Sequence, residues 1–233
     1  MKISIIIPTL DEETHIERTI TAIELDKHPS EVEIIVIDAG SCDKTVERTL
    51  DLGHVLVVEK PEFKGKKYAS LNFGASLATG DVLLFLDADT ILPRDFYIKI
   101  RGLLDSDSRV VGGAFEHQFD HANFSLWLIQ LINRVRYRIS RLYYGDQAIF
   151  CRKQAFLEVG GFVEAPIMEA AYLCKSLKTI GKLKLIKHSI KTSSRRFVSG
   201  GVWKVFLNDT RIWLRDSLGL DNTAEGQRYW ESK

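Results

Sequence analysis

The chain of 233 residues contains three cysteines, Cys42, Cys151 and Cys174, odd in number, far apart and in no Cys-x-x-Cys pair. That pattern excludes a disulfide framework and a zinc knuckle and makes a reducing, cytoplasmic compartment the expectation. Long hydrophobic runs are lacking too. The longest, Phe124 to Ile132, is broken at Asn133, well short of the roughly 18–20 apolar residues that cross a bilayer. The opening stretch, Met1 to Pro8, has too short an apolar run for a signal sequence and reads as a buried strand. No internal repeat or low-complexity linker is present. A content of 45% hydrophobic and 27% charged residues excludes collagen, coiled coil and disorder. One domain spanning 1–233 is expected.

Net charge is also scarce, at +1, but its distribution is uneven. Up to His117 there are 13 basic and 21 acidic residues, and after it 19 basic and 10 acidic, so the halves carry −8 and +9. An acidic metal site in one half and a phosphate or membrane contact in the other would account for that split.

The first hundred residues alternate β-forming runs with helical spacing. Ile3 to Ile7, Val32 to Ile37, Val55 to Val58 and Val82 to Leu86 read as strands; Thr14 to Leu25, the segment from Thr45 to Leu52 and Ala69 to Leu77 read as helices. The continuous apolar character of Val82 to Leu86 predicts burial on both faces of that strand, and the alternation of strands and helices predicts an α/β fold, a mostly parallel central sheet flanked by helices. The second half is less regular. A strand over Val110 to Phe119 precedes a helix over Asn123 to Tyr144, then a strand at Ala148 to Cys151, a helix over Glu169 to Ile180 and an amphipathic helix over Trp203 to Leu218.

Ligands of parallel sheets sit beyond the carboxyl ends of the strands. Acidic residues occur at three such ends: Asp11, Glu12 and Glu13; Asp38 and Asp43; Asp87 and Asp89. For Asp11, Glu13 and Asp43, capping of the following helix is an equal reading. Asp87 and Asp89 are two apart, so period-2 geometry aims both carboxylates to one side, where they repel unless a cation lies beside them. Hard divalent ions such as Mg²⁺ or Mn²⁺, completed by phosphate oxygens, suit that arrangement.

These segments, Ser4 to Glu12, Ile35 to Thr45, Gly65-Lys66 with Asn72 to Ala75, and Leu84 to Asp89, together resemble in order the motifs of family-2 glycosyltransferases, which have the Rossmann-like GT-A fold for nucleotide-diphospho-sugars. Tyr144-Gly145-Asp146-Gln147 and Gly160-Gly161-Phe162 resemble a bacterial subgroup of that family. The resemblance implies a nucleotide-sugar-binding half (1–110), an acceptor half (111–197) and a C-terminal helical tail (198–233). It implies donor contacts by Pro8, Thr9, Asp11, Glu12, Asp38, Gly40, Lys66, Asp87, Asp89, Arg195 and Arg196, and acceptor contacts by Gln147 and Gly161. Mn²⁺ or Mg²⁺ is expected at Asp89 and Asp87, with His188 as a third ligand.

The reaction implied is inverting transfer of a sugar from a nucleoside diphosphate, UDP favoured, to a hydroxyl of an acceptor that the sequence does not identify. In the subgroup the catalytic base is an Asp after Pro-x-Met-Glu; here Pro166-Ile167-Met168-Glu169 is followed by Ala170. An alanine accepts no proton, which leaves Glu169 or Asp146 as the base, or makes the chain an impaired nucleotide-sugar binder. A pyrophosphorylase-like reading would want a glycine-rich first loop, which Pro8 to Glu12 does not supply. Gly65-Lys66 is no Walker loop, because Lys60 stands where its first glycine belongs. His117 and His121 are four apart but in a strand and loop, so they read as core or surface residues and not as a metal pair. Nucleic acid is not an expected partner. Arg134, Arg138 and Arg141, with Trp127, Trp203 and Trp213, keep peripheral contact with the inner face of a membrane as a minority reading.

Overall fold

The β-forming runs assemble into one sheet. The computed structural model describes residues 1–24, 31–121, 123–220 and 222–226. Strand β1 (Ile3–Thr9) lies between β2 (Val32–Asp38) and β4 (Val82–Phe85), parallel to both, and β2 carries β3 (Leu56–Glu59) on its outer side. Every residue of β1 except Pro8 is buried, because helices cover both faces. Alternation then sorts the side chains. Ile5 and Ile7 join the core beneath α1 (Ile16–Glu24) and α4 (Phe96–Ser106), whereas Ile6 joins the core beneath α3 (Lys67–Leu77), α6 (Lys153–Glu158) and α7 (Glu169–Ile180). The helix expected to run to Leu25 is described only to Glu24; Leu25 lies outside the described residues.

Beyond β4 the sheet changes direction. β7 (Phe150–Arg152) pairs antiparallel with both β4 and β6 (Val110–Phe119), and β6 then pairs parallel with β8 (Lys182–Thr192), which carries the two-residue edge strand β5 (Thr90–Ile91). The order is β3-β2-β1-β4-β7-β6-β8-β5. Thus the expected mostly parallel sheet is present with an antiparallel β7 at its centre. Neither β8 nor α4 is among the elements read from the sequence. β8 alternates exposed Lys182 and Lys184 with buried Leu183, a period-2 signal concealed in a run of lysines.

Two short helices precede and follow the second half of this sheet: α2 (Thr45–Leu50) after β2, and α8 (Arg195–Gly200) after β8, the latter leading into α9 (Val202–Ser217). α5 (Phe124–Ser140) packs with α8 and α9 through a small cluster of Phe119, Leu126, Ile129, Phe197 and Phe206. Within the tail expected over 198–233, Asp221 and 227–233 lie outside the described residues.

At the amino ends of β1 and β2, Glu33 binds Lys2 Nζ at 2.7 Å and accepts from the Ser4 hydroxyl at 2.5 Å and from the Thr79 N–H and hydroxyl at 2.6 Å each. Burial raises its pKa, but the Lys2, Ser4 and Thr79 hydrogen bonds outweigh that and hold it at about 2, below the ordinary 4.5. A depressed carboxyl stabilises the fold above its unfolded pKa and loses that contribution as pH falls. Solvent reaches this cluster and screens it, so Glu33→Gln should cost about 1–2 kcal/mol at neutral pH. Urea melts of wild type and variant should converge between pH 4.5 and 2; a gap that persists at pH 2 contradicts the assignment.

Candidate active site

The loops after β1 and β2 are stitched together by their own carboxylates. Asp38, fully buried, accepts from the Thr9 hydroxyl (2.9 Å), the Gly40 and Ser41 N–H groups (2.9 and 2.8 Å) and the Ser41 hydroxyl (2.5 Å). A carboxylate has about four lone-pair positions, and those donors fill them. Asp11, in the left-handed region at φ 54°, donates its N–H to Ser41 Oγ (2.9 Å), and its Oδ1 accepts from the Cys42 N–H (2.8 Å). Asp43 accepts from the N–H groups of Thr45 and Glu13, and Glu13 accepts from that of Lys44. Gly40 adopts φ 91°, close against Pro61. Asp11, Asp38 and Gly40, expected as donor contacts, thus shape the loops and are not part of the cleft lining. Asp43 and Glu13 bind backbone N–H groups of the two loops, but neither is the N-cap of the helix that follows it; α2 begins after Lys44 without a side-chain cap.

The cleft holds about 330 Å³ at the carboxyl ends of β1 and β4. Pro8, Thr9 and Glu12 line it from the first loop, Asp87 and Asp89 from the segment after β4, and Asp146, Gln147, Glu169, Ala170, Arg195 and Arg196 from the second half. Lys66 is exposed at the start of α3 and outside the lining; its neighbour Lys67 faces inward. Lys67 Nζ lies 2.5 Å from Asp87 Oδ1 and 3.9 Å from Glu169 Oε1. Arg195 pairs with Glu12 and lies 3.7 Å from Asp89 Oδ2. The acidic half of the chain thus meets the basic half across this cleft.

The remaining expected residues sort by position. His188, expected as a third metal ligand, pairs with Asp95 at 3.1 Å and is not part of the lining. Among the described residues no group of three or more His, Cys, Asp and Glu side chains could hold a metal by itself. Asp87 and Asp89 offer hard oxygen donors at the mouth of the cleft, with side chains 26% and 17% exposed. That fits Mg²⁺ or Mn²⁺ only where donor phosphate or water supplies the other ligands. Gly161 also falls outside the lining; it adopts φ 74° in a turn where a Cβ would meet Asn72 Oδ1 at 2.7 Å. The Gln147 amide is used internally, donating to the Phe115 carbonyl and accepting from the Tyr144 N–H, each at 3.2 Å.

Ala170 lines the cleft and is buried in the first turn of α7, whose N-cap Met168 has φ 69°; no carboxylate stands at that position. The cleft instead contains Asp209, which the sequence did not single out, and His117, whose place there it did not foresee. Asp209 on α9 pairs with Arg196; burial pushes its carboxyl up, Arg196 pulls it down, and the Asp146 carboxylate adds to the rise. His117, read from the sequence as core or surface, lines the cleft with Nε2 3.5 Å from Asp146 Oδ2. No spacing could have found either, since both reach the cleft only through the packing of β6 and α9. The arginines of α5 are also engaged: Arg138 and Arg134 both pair with Glu116.

An α/β sheet that gathers carboxylates at its strand ends beneath a basic cap has the GT-A fold, the architecture of nucleotide-sugar transferases. The chain belongs to glycosyl transferase family 2, whose sequence model matches residues 4–163. It is 28% identical over 199 residues to the cellulose synthase 1 catalytic subunit (UDP-forming) of Komagataeibacter xylinus, an alignment covering 77% of this chain and 26% of that protein. The mannosyltransferase PcManGT from Pyrobaculum calidifontis, solved with GDP-Man and Mn²⁺, superposes with a TM-score of 0.70 at 16% identity, over 98% of this chain and 69% of that one. Residues 1–349 of S. aureus TarS, solved with UDP-GlcNAc, give 0.67 at 16% identity, over 83% of this chain and 58% of that one. The chain spans about a quarter of the length of its cellulose synthase relative.

Proposed function

We propose that the chain is an inverting glycosyltransferase that moves a sugar from a nucleoside diphosphate, UDP favoured, to an acceptor hydroxyl with the aid of Mn²⁺ or Mg²⁺. The observation that carries this reading is the placement of Asp87 and Asp89 in one cleft with Lys67 and Arg195. Asp89 and Asp87 would hold the ion, which would supply positive charge to the diphosphate leaving group. Pro8, Thr9 and Glu12 border the nucleoside end. Lys67, Arg195 and Arg196, each paired with a carboxylate here, are the cations that would turn to phosphate oxygens and offset the leaving-group charge. Asp146 or Glu169 takes the acceptor proton, a contribution typically of about 10²–10⁴-fold.

Calorimetry with UDP and GDP, with and without Mn²⁺, tests the reading. Metal-dependent binding is expected, and absence of any nucleotide binding refutes it. Ala170 supports a second reading, a nucleotide-sugar binder that does not turn its ligand over. Binding without donor hydrolysis in the wild type, with hydrolysis gained in Ala170→Asp, would select it.

Among the described residues no helix is long and apolar enough to cross a membrane. Peripheral attachment to an anionic membrane is the finer proposal, supported by exposed Phe124, Trp127 and Ile139 on α5 and Trp203 and Leu207 on α9. Exposed aromatic residues near basic side chains suit an interfacial site. Cosedimentation with phosphatidylglycerol vesicles should fall in Trp127→Ser/Trp203→Ser; equal sedimentation contradicts attachment.

A further inference from the structure

Resting on the transfer reading, we propose that Asp146 is the proton acceptor in this chain and that His117 is its positioning residue, the two supplying what is absent at Ala170.

Glu169 stands next to the alanine, but its Oε1 faces Lys67 Nζ at 3.9 Å, the same ammonium that binds Asp87. Its charge is committed to the leaving-group side of the cleft. Asp146 differs in both exposure and support. Its side chain is 45% exposed to the cleft, while its backbone is held from several directions. The Thr192 hydroxyl donates to its carbonyl at 3.2 Å. Gln147 anchors the 3₁₀ turn of Gly145–Gln147 to Phe115, and Ala148 closes it in the left-handed region at φ 46°. A carboxylate on so constrained a turn keeps its direction with little entropy left to lose.

Behind it stands His117, 4% exposed. Its ring is braced edge-on against Phe119, with centroids 4.5 Å apart. Its Nε2 is buried without a hydrogen-bond partner and lies 3.5 Å from Asp146 Oδ2. Leaving a buried polar nitrogen unmatched is costly, and a small approach of the Asp146 carboxylate removes that cost. Burial, and the nearby charge of Arg134, lower the His117 pKa against the opposing pull of Asp146, so the ring is neutral and carries one N–H. Placed on Nε2, that proton is donated to Oδ2 and fixes the carboxylate plane, leaving Oδ1 toward the cleft.

In the step itself the acceptor O–H bond breaks and its proton passes to Asp146 Oδ1. The oxygen electron pair forms the new bond to the anomeric carbon, and the bond to the diphosphate breaks with its pair leaving on phosphate. His117 keeps its proton throughout and acts through Asp146.

The experiment measures hydrolysis of UDP-glucose or GDP-mannose, whichever nucleotide binds, with Mn²⁺ and water as acceptor, in Asp146→Asn, His117→Phe, His117→Gln and His117→Phe/Asp146→Asn. Nucleotide affinity is measured on the same samples. Asp146→Asn should lower kcat about 10²–10⁴-fold. His117→Phe should lower it about 10–100-fold with KM and nucleotide affinity kept, as losses of supporting hydrogen bonds do. His117→Gln, whose amide can donate from a similar place, should recover most of the loss. The double variant should be no slower than Asp146→Asn alone, because His117 has no target once the carboxylate is gone. Unchanged kcat in His117→Phe, losses that multiply in the double variant, or wild type that binds nucleotide without hydrolysing donor each overturns the inference and leaves donor binding standing. Absence of nucleotide binding in the wild type overturns the transfer reading and this inference with it.

Discussion

Asp89→Ala should abolish Mn²⁺-dependent donor binding and lower kcat/KM by about 10³-fold, in the range found when a group stabilising a charged leaving group is removed. Two effects combine at that position. One of the two carboxylates proposed to hold the ion is lost, and Arg195, which pairs with Glu12 and lies 3.7 Å from Asp89, loses a carboxylate neighbour. Asp87→Ala should be the milder change, because Lys67 retains Glu169 as a partner. His188→Ala, outside the cleft and paired with Asp95, should leave metal-dependent binding intact. Calorimetry across the three variants checks this order; strong metal-dependent binding by Asp89→Ala would remove the metal from that carboxylate.

Gly113→Ala should be the most damaging single methyl group in the molecule. On β6, between β7 and β8, its Cβ would lie 1.9 Å from the Lys184 carbonyl oxygen and 2.9 Å from Phe150 Cζ. Neither neighbour can yield, since one is ladder backbone and the other a buried ring at the core. The expected cost is about 3 kcal/mol or more, which for a chain of this size lowers Tm by roughly 6–12 °C. Gly102→Ala is the counterpart. It lies within α4 with nothing within 4 Å of its Cβ, so it should stabilise by up to about 1 kcal/mol. Urea and thermal melts of both variants decide the matter, and equal stability of Gly113→Ala would contradict the packing at that strand.

The strands β1, β2 and β4 were legible because burial favours runs of β-branched and apolar residues; Val82 to Phe85 is unbroken, and Ile3 to Ile7 is interrupted only by Ser4. β8 was not, because its lysines read as a charged stretch; only their alternation with Leu183 and Leu185 carried the strand signal. The site divides in the same manner. Asp87 and Asp89 follow an apolar strand and line the cleft, but β4 ends at Phe85 and Asp89 lies in a turn, so the strand period does not set their directions. Asp38 has the same sequence context, yet it faces four loop donors. A carboxylate that organises its own backbone and one that awaits a ligand look alike in sequence, because the difference lies in where neighbouring N–H groups point. Lys66 and Lys67 are adjacent, and only the start of α3 decides which of them faces Asp87.

The sequence by itself determined the α/β class, the strand-end position of the chemistry and the alanine at 170, since each rests on local periodicity or on residue identity. The tertiary structure alone decided which charges meet. It brought Arg195 onto Glu12 and Asp89, turned Asp38 inward, sent His188 to Asp95, and set His117 behind Asp146. Those pairings depend on contacts between residues distant in the chain, which the register of β6 with β8 and the packing of α8 and α9 create. Local patterns fix where a strand or helix forms, but a charge finds its partner only when the whole sheet has closed.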